Sequence, residues 1–131
     1  MAGELQALGI LVLIQMAYGL IAAAAIGRTT GTNWLLSSRE TLPDYRKGLA
    51  GRMERARNNG FEALALFTPA VAIVAISGSS STTTVTAAWT FVAARIVYFG
   101  CYAGNLVPWR TLVWFVGWVA VVAMILDALL G

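Results

Sequence analysis

Residues 5–27 carry no charged side chain. In helical form those 23 residues reach about 34 Å, enough to cross the roughly 30 Å hydrocarbon core of a bilayer. Three more apolar stretches follow, at 63–77, at 84–102 around Arg95, and from Arg110 to the C-terminal end. With 59% hydrophobic and 11% charged residues in a 131-residue chain, there is far more apolar surface than a soluble domain of this size hides, since such a domain buries only about two-thirds of its surface. The excess faces lipid, and the expected fold is all-α: one integral membrane four-helix bundle with spans near 5–27, 57–77, 84–102 and 110–130. The first stretch lacks the basic leader of a secretory signal, since Glu4 is the only charged side chain before it, and it is read as an uncleaved span.

The connections differ sharply. Residues 28–54 are rich in Gly, Thr, Ser, Asp and Pro and carry Arg28, Arg39, Arg46, Lys47 and Arg52, which reads as a solvated loop folded over one membrane face. The Ser/Thr run at 79–84 reads as a short outer loop, Asp127 as a wet residue at the far interface, and Trp109 and Trp114 as interfacial anchors. Four spans place the 28–54 loop and the 103–110 turn on one side, and both termini on the other. Every Lys and Arg near a span end falls on the loop side, which the positive-inside rule makes cytoplasmic.

Span two carries the chemistry. Its uncharged part, 63–77, has only 15 residues, about 22 Å, so the helix must extend back through Glu62, Asn59 and Asn58 and bring them into the membrane. Pro69 sits within it, where a kink is expected. At about 100° per residue, Arg52, Arg55, Asn58, Asn59 and Glu62 share one face. On span three Arg95, Tyr98 and Tyr102 share one stripe, and Arg110 opens span four on the same side. Glu62 lies seven residues inward from Arg55 and Arg95 seven inward from Tyr102, so the two arrive at similar depth and an ion pair between them is expected. An ionisable group in hydrocarbon costs about 2.5–3.5 kcal/mol on insertion scales, so such groups face protein or a wet cavity. Arginines, a carboxylate, amides and phenols together suit a small ligand bearing both carboxylates and an amine. Snorkelling to lipid phosphates is the competing explanation for any one arginine.

The motifs Arg55-x-x-x-Asn59-x-x-Glu62 and Arg95-x-x-Tyr98-x-x-x-Tyr102, followed by Arg110, make the chain resemble the MAPEG superfamily, the membrane-associated proteins in eicosanoid and glutathione metabolism that include microsomal glutathione transferases. The resemblance implies a homotrimer with glutathione, as co-substrate, bound between subunits on the cytoplasmic side. It implies that Arg55, Asn59, Glu62, Tyr98 and Tyr102 hold the tripeptide and that Arg110, with Thr111 as a further donor, stabilises the thiolate. Arg28 and Arg57 resemble positions that reach a neighbouring subunit's ligand. Ala63 stands where some members have an aromatic residue, and the first loop is longer than usual.

The implied activity is attack of glutathione thiolate on a lipophilic electrophile, or reduction of a lipid hydroperoxide, with the lipophilic partner arriving from the bilayer. Because some members of the superfamily bind lipids and catalyse nothing, a non-catalytic lipid- or partner-binding trimer is the alternative. A small multidrug antiporter would need a proton-exchanging carboxylate deep in the first span, where only Gln15 is polar at depth. The absence of histidine leaves no expectation of a metal, Cys101 as the sole cysteine excludes an internal disulfide, and the scattered basic residues give no nucleic-acid surface.

Overall fold

The apolar runs fold as helices longer than the runs themselves. The computed structural model describes residues 1–41, 44–45 and 47–131; Arg46, counted above with the basic loop, lies outside them. The elements are α1 (Gly3–Thr30), α2 (Thr32–Leu35), α3 (Leu49–Ser77), α4 (Thr82–Ala103) and α5 (Val107–Leu130). Helices α1, α3, α4 and α5 are each long and apolar enough to cross a membrane, and among the described residues there is no strand.

The largest departure from the sequence expectation is the start of α3, eight residues before the expected boundary at 57. Ala50, Met53, Ala56 and Gly60 are buried along one face of this segment at the i, i+3, i+6, i+10 spacing of a helix stripe. Packing therefore holds the basic first turns in helical form, although their composition resembles a loop. At the other end Gly78 takes the left-handed conformation (φ 68°) that stops the helix at low steric cost. α3 is continuous through Pro69. α1 ends at Gly31, whose φ of 91° an L-residue rarely adopts. Pro108 in the first turn of α5 lacks the N–H that would be an orphan there.

α3 and α4 pack against each other and each contacts both outer helices, whereas the backbones of α1 and α5 stay more than 8 Å apart from Cα to Cα. One core lies toward the termini, with Phe67 stacked on Phe91 at 4.4 Å among Leu11, Val71, Val92 and Met124. A second lies toward the basic side, where Tyr18 stacks on Phe99 at 3.6 Å beside Ala22, Met53 and Ala56. The first loop adds a third: Trp34 and Leu35 fold back on Ile26, Tyr45 and Ala50, and Tyr45 donates to Glu54 at 2.9 Å. Large apolar side chains such as Leu13, Met16, Leu20, Val119 and Leu129 point outward, as lipid-facing residues do.

At the terminal end the Ser/Thr run is more than a loop. Ser81 and Thr84 form a capping box that starts α4. Ser80 donates to both carboxylate oxygens of Glu4 at 2.9 and 3.1 Å, and the buried Thr84 hydroxyl also donates to Glu4. Ser81 donates to Asp127 at 2.6 Å, so Asp127 is a half-buried acceptor rather than a wet end residue. These bonds tie α1, α4 and α5 together at this end of the bundle.

Candidate functional site

The stripe expected on α3 and the stripe on α4 meet on the basic side of the bundle. Arg95 is buried, with 6% of its surface exposed, and its guanidinium carbon lies 4.3 Å from the centre of the Tyr98 ring. It donates from Nη1 to Asn59 Oδ1 at 3.0 Å. A buried cation is thus met by a ring face and an amide oxygen, contacts that offset part of its lost hydration. One turn closer to the membrane surface, Arg55 donates from Nε to the Tyr102 hydroxyl at 3.2 Å. The Arg110 guanidinium lies 4.5 Å from the Tyr102 ring centre. Tyr102 therefore links the first residue of one motif to the arginine that opens α5, and it stands edge-on to Tyr98.

The expected Glu62–Arg95 ion pair is not formed within the chain. Asn59, one turn nearer the surface on α3, takes the arginine donor instead. Among the described residues Glu62 makes no ion pair, and the one that is present joins Arg57 to Glu54 at 3.8 Å. Asn59, Glu62 and Arg95 nevertheless line one cavity of about 430 Å³ between α3 and α5. Its polar residues cluster at this end, and the rest of its wall is apolar, including Pro69, Phe91, Val121 and Ile125. Trp114, read from the sequence as an interfacial anchor, lines this cavity with Trp118. The site thus joins a polar, cationic end to an apolar groove.

The remaining sequence candidates divide. Arg55, Asn59, Glu62, Tyr98, Tyr102 and Arg110 come together. Thr111 is exposed, and its hydroxyl donates to Val107 O of its own helix at 3.4 Å. Arg28 is exposed in the last turn of α1. Arg57 lies on the loop flank of α3, held by Glu54 and by Asn58 Oδ1 at 3.3 Å. Neither reaches the cluster of its own chain. Cys101 is buried, as expected of a packing residue.

Three contributors were not singled out as site residues. Tyr18 brings its phenol within electrostatic range of Arg95. Gln15, buried in the middle of α1, donates from Nε2 to the Arg57 carbonyl at 2.8 Å. Arg52 donates from Nε to Ala103 O at 3.2 Å, fastening the first turns of α3 to the turn that leads to Arg110. Arg52 was legible as part of the stripe, while Gln15 and Tyr18 are single residues in an apolar run and gave no pattern. Among the described residues no cluster of His, Cys, Asp and Glu could hold a metal ion.

The sequence model of the MAPEG family matches residues 5–130. No curated protein and no solved structure matches the chain.

Proposed function

The chain belongs to the MAPEG family, membrane proteins of eicosanoid and glutathione metabolism, and on that premise we propose that it binds glutathione at the basic-side cluster and activates it as a thiolate. The observation that carries this reading is Glu62: a carboxylate on the open face of α3 that makes no ion pair among the described residues, beside Asn59 and Arg95 and one layer below Arg55 and Arg110. Glutathione carries groups complementary to this set. Its ammonium group pairs with Glu62, its carboxylates pair with Arg55 and neighbouring donors, and Tyr98 and Tyr102 line its flank. Arg110 stands at the mouth of the cluster, where a guanidinium beside the sulfur favours the thiolate and lowers the thiol's pKa from about 8.5. Thr111, the next residue, supplies a hydroxyl that can turn to the sulfur.

The apolar groove that opens from the cluster accommodates the second substrate, a lipophilic electrophile or hydroperoxide entering from the bilayer. The thiol proton passes to water at the mouth, and Arg110 stabilises the thiolate charge. The sulfur bonds to the electrophilic carbon as that carbon's leaving group departs with its electron pair. With a hydroperoxide the sulfur takes the terminal oxygen as the O–O bond breaks and the alcohol leaves. A second glutathione then reduces the resulting sulfenic acid to disulfide and water. Arg55, Asn58 and Glu62 are exposed on the single chain, and polar groups at this depth do not face lipid. We therefore read this face of α3 as covered by further copies in a homotrimer, where Arg28 and Arg57, too far from their own cluster, reach the neighbour's ligand. The positive-inside rule puts the site on the cytoplasmic side.

The experiment is calorimetric titration of the detergent-purified protein with glutathione, followed by turnover with a lipophilic electrophile. Binding that weakens at least tenfold in Glu62→Gln and Arg55→Ala supports the ligand assignment, and turnover that Arg110→Ala lowers more than binding supports the enzyme. Binding without turnover favours the non-catalytic member of the same scaffold. No binding by the unaltered protein overturns the proposal.

A further inference from the structure

The residues that form the cluster lie on α3, α4 and α5, yet α1 enters the site from behind. Gln15 is 4% exposed in the middle of α1, and it is the one amide in that helix's interior, Gln6 standing near its first turn. Its Nε2 donates at 2.8 Å to the Arg57 carbonyl, an acceptor whose second lone pair remains available beside the helix's own bond. The amide fits there because residue 60 is glycine: a Cβ added at Gly60 would overlap the Gln15 amide, with Gln15 Cδ only 2.8 Å away. Glycine inside a helix costs about 1 kcal/mol relative to alanine, and Gly60 is buried on the α1-facing side of α3, so the cost is borne where the close approach requires it.

We propose that Gln15 is a positioning residue for the site, its amide keyed into the Gly60 notch so that α3 is held at one rotation and one depth against α1. The hydrogen bond lands on the carbonyl of Arg57, and Asn59 and Glu62 lie within the following five residues. At 100° per residue a 20° rotation of α3 would swing the Asn59 oxygen off the Arg95 donor, which it meets at 3.0 Å. A hydrogen bond lost from one side chain moves groups that never touch it, because Arg57, Asn59 and Glu62 lie within two turns of one continuous helix, α3.

The inference rests on the glutathione reading only for its consequence, so the test has two arms. The first needs no ligand: hydrogen exchange of the segment 55–63 in the detergent-purified protein. Gln15→Met, close in shape but unable to donate, and Gly60→Ala, which blocks the notch, both accelerate exchange there several-fold and leave the 85–92 segment of α4 unchanged. The second arm is the glutathione dissociation constant, which rises about five- to tenfold in each variant, as the loss of one oriented hydrogen bond implies. Gln15→Ala combined with Gly60→Ala removes the overlap and is no worse than Gln15→Ala alone, a non-additivity that general destabilisation does not produce. If Gln15→Met leaves exchange of 55–63 at the unaltered rate, or if the two substitutions add, the key does not exist. An unaltered protein that binds no glutathione overturns the functional reading, while the exchange arm still decides the key. Accelerated exchange with an unchanged dissociation constant shows a packing contact and refutes the positioning role.

Discussion

Replacing Glu4 tests whether the terminal end of the bundle is closed by the contacts described above. Its carboxylate is 1% exposed and accepts from two hydroxyls, Ser80 and Thr84, both about eighty residues away in sequence. Hydrogen bonds to a charged group contribute roughly 1.5–3 kcal/mol each, which taken alone would put the loss at several kcal/mol. Two features reduce it. Ser80 is exposed and regains water when the carboxylate goes, and Thr84 Oγ1 already lies 3.0 Å from Ser81 O, an alternative acceptor for its proton. Glu4→Ala is therefore expected to cost about 2–3 kcal/mol, the lost bonds plus the small void. Glu4→Gln, which keeps one acceptor oxygen and the shape, should cost about 1 kcal/mol. Thr84→Val should cost at least as much as Glu4→Gln, because it leaves a buried carboxylate short of a donor where it makes no ion pair among the described residues. Reversible unfolding in mixed micelles, followed by circular dichroism, measures all three. Glu4→Ala and Thr84→Val both within about 0.5 kcal/mol of the unaltered protein, the range of ordinary surface substitutions, would refute the reasoning.

Ser81→Ala removes both a helix cap and the donor to Asp127; it should lower stability by about 1–2 kcal/mol in the same assay, and Asp127→Asn should recover part of that contact's loss relative to Asp127→Ala. Tyr102→Phe keeps the ring under Arg110 but removes the hydroxyl that accepts from Arg55. Calorimetry should show glutathione binding weakened about fivefold in Tyr102→Phe and more than that in Tyr102→Leu, which also removes the ring. Asn59→Leu strips Arg95 of its oxygen partner while the guanidinium stays buried; it should destabilise the fold by about 2 kcal/mol, whereas Asn59→Asp should not.

How far the sequence reached is set by what repeats and what does not. The four spans were legible because lipid exposure demands long uncharged runs, and their far ends were placed within a few residues by Gly78 and the Ser/Thr run. The start of α3 was not, because Leu49 to Glu54 carries Arg52 and Glu54 and reads as loop until Ala50 and Met53 are seen to be packed. The polar faces of α3 and α4 followed from helical periodicity alone, and Glu62 and Arg95, expected at similar depth, line one cavity. Which acceptor Arg95 would take was beyond that geometry: depth is resolved to about one turn, and Asn59 lies three residues from Glu62. Glu4 and Gln15 were illegible for another reason. Each is a lone polar residue whose partners lie forty or more positions away, a relation that only tertiary packing reveals. The residues alone reached a small ligand with carboxylates and an amine; glutathione is what the resemblance carried by the two motifs implies, and the family match over residues 5–130 supports the scaffold it was read on.

The central claim is that Arg110 makes a thiolate of bound glutathione. Its most direct measurement is the ultraviolet thiolate absorbance as glutathione is titrated into the purified protein at neutral pH. The account predicts a saturable band of close to full thiolate per occupied site, lost in Arg110→Ala and partly kept in Arg110→Lys, with calorimetry showing that Arg110→Ala still binds the tripeptide. Bound glutathione with no thiolate band in the unaltered protein, or a band that survives Arg110→Ala at full height, would contradict it.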